Sequence, residues 1–165
     1  MTKSMKRIHQ VTIITKQDDY NGEDTIGTFD NEPKSEYAIE LTEYLRGYRY
    51  EGYKFYNAPV ENYKGLDAEE IRKYVQQDYE RMQSYNAGEW DYVGVFARAT
   101  MQLVENGPIQ VLTSGGLWGV ESDCEEYVNN EVAKDELADL RGQLHAIGFS
   151  QRVISAAFKN VKVSQ

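Results

Sequence analysis

A single cysteine, Cys124, stands in the 165 residues, so no internal disulfide framework is available to the chain. Two histidines accompany it, His9 and His145, and three such ligands fall short of the four nitrogen and sulfur donors of a structural zinc site. No stretch approaches the ~20 apolar residues that a membrane helix needs. The N-terminal Met-Thr-Lys-Ser-Met-Lys-Arg has no apolar segment of signal-peptide type behind it, so the compartment expected is the cytoplasm. Cations are scarce too: 18 Lys and Arg against 27 Asp and Glu leave a net charge of −9. That balance works against direct nucleic-acid binding, in which Lys and Arg neutralise phosphates, and against anionic membranes. The acids of Asp18, Asp19, Glu23 and Asp24 lack the alternating spacing of a calcium loop. Neither a metal nor a cofactor is expected.

What is abundant is tyrosine. There are thirteen, more than a core of this size hides, and Tyr is enriched where proteins meet. Tyr48, Tyr50 and Tyr53 alternate with Arg49 and Lys54 in an aromatic, strand-like run from Arg46 to Tyr56.

The chain is organised around the stretch from Tyr92 to Ile147. Val93, Val95, Ala97, Ala99, Met101 and Leu103 recur with period two and predict a strand with one apolar face. Asn106-Gly107 marks a hairpin. A three-residue loop with Gly107 left-handed pairs Leu103 with Ile109 and Met101 with Val111, which keeps like with like. Ser114-Gly115-Gly116-Leu117-Trp118-Gly119 then forms a corner. A backbone nest for an anion is one reading of it. A plain tight turn is the stronger one, because Glu121 and Asp123 would repel a phosphate.

Ser122 with Glu125, or Asp123 with Glu126, fits a capping box that opens a helix running to Gly148. Its apolar stripe is Cys124, Val128, Val132, Leu137, Leu140, Leu144 and Ile147. Glu125, Glu126, Asp135 and Asp139 fall off the stripe and make an acidic outer face. Cys124 is expected to be structural rather than a nucleophile, since no histidine is marked as its partner.

Elsewhere, Arg7 to Thr15 reads as a first strand with His9 on the face of Val11 and Ile13. Gln17 to Asn31 reads as an acidic loop anchored by Ile26 and Phe29. Asp67 with Glu70 caps a helix to about Tyr85. Asp78 falls inside that helix's apolar stripe, where an arginine such as Arg98 is its expected partner. A short terminal helix follows Gly148, and residues 1–6 and 160–165 are expected to fray. No linker splits the chain, so 1–165 reads as one α+β domain, with an antiparallel sheet of four or five strands and two main helices on one face.

Gln77-Asp78-Tyr79-Glu80-Arg81-Met82, Tyr85-Asn86-Ala87-Gly88-Glu89-Trp90 and Ser114 to Asp123 together resemble small acidic proteins of bacterial, plasmid and phage genomes. The Gly-Gly-Leu-Trp-Gly corner is the most specific part of that likeness. It implies a mobile-element setting and no chemistry. The function expected first is a non-enzymatic module whose acidic, tyrosine-bearing surface (Glu125, Glu126, Asp135, Asp139, Tyr48, Tyr50, Tyr53) occupies a basic protein partner. An inhibitor of a nucleic-acid-binding nuclease, of anti-CRISPR or anti-restriction type, is the natural form. A small enzyme or ligand-binding protein with a pocket near Asp78 and the Gly115–Trp118 corner is the second reading, and a structural homo-oligomer the third.

Overall fold

The computed structural model describes residues 6–19, 23–41 and 52–164. They form an α+β protein whose chain gathers into two compact units, Met1–Asp19 with Tyr92–Gln165, and Tyr20–Asp91.

The first unit holds a five-stranded sheet. Its two long strands, β1 (Arg7–Gln17) and β5 (Tyr92–Gln102), pair antiparallel along nearly their whole length. Val93, Val95, Ala97, Ala99 and Met101 of β5 are buried as predicted and face Val11 and Ile13 of β1 in one core, while Leu103, just past the strand, is partly buried against it. A bulge between Ile8 and Gln10 changes the parity of β1. Ile8 therefore packs on the core, whereas His9, expected on that face, is exposed and hydrogen-bonds Gln102 at 3.0 Å.

On its other edge β5 pairs first with β7 (Leu117–Glu121) and then with β6 (Gln110–Thr113), both antiparallel. The hairpin register differs from the expected one by one residue. Met101 opposes Gln110 and Ala99 opposes Leu112, so Leu112 packs on the core while Ile109 and Val111 are exposed. The expected loop would have set Val104 opposite Pro108, which has no N–H to offer the ladder. The turn closes instead from Gly107 N–H to Val104 O at 3.1 Å, and the left-handed residue is Asn106, with φ 58°.

One helical rod crosses the core side of the sheet: α3 (Glu125–Tyr127), a π-helical turn (Val128–Val132) and α4 (Ala133–Ala146). The N-cap is Cys124 rather than the expected Ser122 or Asp123, and its side chain makes no capping bond. The wide turn, with Ala133 N–H donating to Val128 O, carries the stripe five residues from Val128 to the buried Ala133, after which Leu137, Leu140 and Leu144 follow at ordinary helical spacing. Leu140 and Leu144 stay fully buried as a result. The rod ends in a Schellman motif at Gly148 (φ 91°), with Phe149 N–H to Leu144 O at 3.1 Å and Gly148 N–H to His145 O at 2.9 Å.

α5 (Gln151–Ala157) then packs on β1, and α4 packs on β5. The C-terminal end, expected to fray, forms β8 (Lys162–Ser164), which adds to β1 as a parallel edge strand.

The second unit holds a three-stranded antiparallel sheet, in the order β2 (Thr28–Asp30), β4 (Phe55–Asn57), β3 (Ile39–Glu40). The segment read as an acidic loop thus contributes a strand and a short helix, α1 (Glu23–Ile26), with Ile26 buried as expected. α2 (Ala68–Asn86) carries the predicted capping box: the Asp67 carboxylate accepts from the Glu69 and Glu70 N–H groups, and Glu70 accepts from Asp67 N–H. Among the described residues no helix is long and apolar enough to cross a membrane.

Candidate functional site

The glycine corner is held from below by carboxylates of the chain itself. Ser114 is buried, and its Oγ accepts the Ala97 N–H at 2.8 Å, standing in for a strand carbonyl as the edge turns. Gly116 (φ 81°) is the left-handed residue of the turn. Its N–H donates to Glu136 at 2.9 Å, and the Gly115 N–H donates to Asp139 at 3.1 Å. The Gly119 N–H donates to Asp18 at 2.9 Å. The amides that would have greeted an external anion are therefore taken by internal ones. This is the tight corner, pinned to α4 and to the end of β1.

Those contacts divide the carboxylates named from the sequence. Asp139 accepts from Gly115 and from Gln143 Nε2 (2.9 Å), so it serves the corner. Glu125, Glu126 and Asp135 are exposed on the rod. Glu125 and Glu126 occupy the first turn, where negative charge complements the helix dipole.

The two glutamates also border a depression of about 430 Å³, whose walls include Asp123, Tyr127, Asn130 and Glu131. Tyr127, Asn130 and Glu131 escaped the sequence reading, and Asp123 figures in it as a helix cap and not as part of a surface. Asp123, Tyr127 and Glu131 are spaced by four, and Glu126 and Asn130 likewise, so neighbouring helical rows converge there. That spacing was visible, but the π turn that sets the rows' phase was not. Tyr127 is 47% exposed. Among the described residues, Glu125, Glu126, Glu131 and Asp135 have no ion-pair partner. The arrangement is a concave, negative, aromatic-walled surface suited to a cationic side chain.

Cys124 lies at the lip of this depression, half-buried rather than in the core. Its Sγ is 3.9 Å from Glu121 Oε2, and Glu121, Asp123 and Cys124 each place a donor atom within 4.8 Å of the others. One thiol and two carboxylates fall one ligand short of a closed tetrahedral set.

Asp78 pairs inside its own unit. The Tyr63 hydroxyl donates to it, and this contact replaces the expected arginine. Burial raises the Asp78 pKa, opposed by the tyrosine hydrogen bond. Burial, reinforced by Asp78, pushes the Tyr63 phenol up. Rings surround the pair: Tyr63 stacks on Tyr74 at 5.7 Å, and Tyr56 meets Tyr79 at 5.2 Å and Phe29 at 5.5 Å. The buried Tyr56 hydroxyl donates to Ile26 O. Four of the thirteen tyrosines are thus spent on ring contacts here, and the Tyr56–Tyr79 contact joins α2 to the small sheet. Tyr53 is exposed, while Tyr48 and Tyr50 lie outside the described residues.

Comparison of the chain with family models, with curated proteins and with solved structures returns no match.

Proposed function

We propose that this chain is a non-enzymatic binding module that offers the acidic depression on its long helical rod to a basic site of another protein. The observation that carries the reading is the convergence of Glu125, Glu126 and Glu131, without ion-pair partners among the described residues, around the half-exposed ring of Tyr127. An arginine or lysine entering there meets carboxylates on several sides and a π face, and the remaining acids of the rod extend the field.

Carboxylates one helical turn apart are separated by roughly 5.4 Å along the axis, a spacing that lets a helix compete for a groove built to hold phosphates. In the phage or plasmid setting that the sequence resemblance suggests, the partner class is a nucleic-acid-binding nuclease and the module is its inhibitor. Titration with an arginine-rich peptide tests the recognition step. The Glu126→Gln/Glu131→Gln double variant should bind about tenfold more weakly, ~1.4 kcal/mol. Equal affinity of variant and wild type would remove the depression from the reading.

A small-ligand reading has one observation in its favour, a cleft of about 600 Å³ between the core face of the sheet and the start of the rod. Ile13, Val93, Val128 and Val163 line it together with the polar Thr15, Gln17, Ser122 and Glu125. A melting shift induced by an apolar amine, and absent in Val128→Trp, is its test.

A further inference from the structure

We propose that the opposite face of the five-stranded sheet, turned away from α4 and α5, is a platform for a short single-stranded nucleic acid. The register fixes which side chains stand there. Thr12 opposes both Arg98 and Lys162, so one row across the sheet carries two cations. In the next row Ile14 opposes Phe96. In the row after that, Lys16 opposes Gly94, and the Trp118 indole lies over that glycine, where an added Cβ would meet Cε3 at 2.2 Å. Phe96 and Trp118 run nearly parallel, 24° apart with centroids at 6.3 Å.

Lys16, Arg98 and Lys162 are exposed, and Trp118 is 48% exposed. No carboxylate stands in these three rows. Acids enter beyond the last of them, where Asp18 holds the Gly119 N–H and Glu121 opposes Tyr92.

Successive rows are two strand rises apart, roughly 7 Å. That is of the order of the step between nucleotides in an extended single strand, so the three rows, with cations in the first and third and rings in the second and third, fall in step with successive nucleotides. Aromatic platforms flanked by basic side chains bind single strands by stacking, with little sequence preference. A duplex keeps its base faces to itself. An acidic peptide would satisfy the cations but leave both rings without a flat partner. The net charge of −9 is a sum over the whole chain, and it weakens long-range attraction without abolishing this local patch.

The probe is an oligothymidylate eight nucleotides long, read by tryptophan emission in the full chain. Trp90 is buried, so quenching should report Trp118 and should vanish in Trp118→Phe. With three phosphates engaged, log affinity should fall with log salt at a slope of about −2. The exposed-site variants Lys16→Gln, Arg98→Gln and Lys162→Gln should each keep the fold by circular dichroism and lessen the slope by about 0.7. No quenching at low salt, a slope unchanged in all three variants, or equal quenching by duplex or by a polyglutamate peptide would overturn the proposal. Sedimentation showing that the face is instead covered by a second copy, with dimers lost in Arg98→Gln, would overturn it as well.

Discussion

The Trp118 indole occupies the space that Gly94, opposite it in the sheet, leaves by having no side chain. Strand β5 weakens itself by placing a glycine in its interior, and the neighbouring strand returns an aromatic ring over the gap. Gly94→Ala would put a methyl group 2.2 Å from Cε3, so the ring must swing off the sheet. We expect a loss of about 1–3 kcal/mol and a red-shifted tryptophan emission. Denaturant midpoints and emission maxima check both. An unchanged spectrum would mean that the indole does not lie on Gly94.

The corner should depend on α4 as much as on its glycines. Glu136→Ala leaves the Gly116 N–H without its charged acceptor and should cost about 1.5–3 kcal/mol. Glu136→Gln keeps an acceptor and should cost less. Equal losses in the two variants would show that packing, and not the hydrogen bond, holds the corner.

Asp78 sets a pH dependence of unusual sign. Its pKa in the folded chain is raised above the ordinary 3.8, so the folded state keeps a proton that the unfolded state has released. Stability from this group therefore falls as pH rises from 3.8 through the raised value, and its ionised form costs stability above that window. Asp78→Asn still accepts from Tyr63 and does not ionise. It should be more stable than wild type near neutral pH and lose that advantage in acid below 3.8. Urea midpoints for both proteins across the range decide it, and a constant difference would contradict the account.

Local periodicity made the first unit's elements readable. The alternation of Val93 to Met101 named the buried face of β5, and Gly148 named the end of the rod. What escaped were effects of single residues on phase. Pro108 moved the hairpin by one position, the bulge beside Ile8 turned His9 outward, and the π turn rotated the acidic rows into a depression. Pairing of Lys162–Ser164 with β1 was also invisible, since three residues carry no periodic signal and a parallel partner lies far away in sequence. The acidic face was legible as residues off a stripe. Which of them converge was not, because Asp139 is drawn to Gly115 by a contact 24 residues long.

The central claim is that the rod's acids attract a basic protein surface, and association kinetics test it most directly. Reversing Glu125, Glu126, Glu131 and Asp135 to Lys should leave the fold nearly intact, since exposed charges typically change stability by less than about 0.5 kcal/mol each. Stopped-flow association with an arginine-rich helical peptide, measured from low to moderate salt, should be fast for wild type and slow steeply as salt rises. The reversed variant should associate far more slowly, with its salt dependence inverted. Identical rates and identical salt slopes for the two proteins would contradict the account.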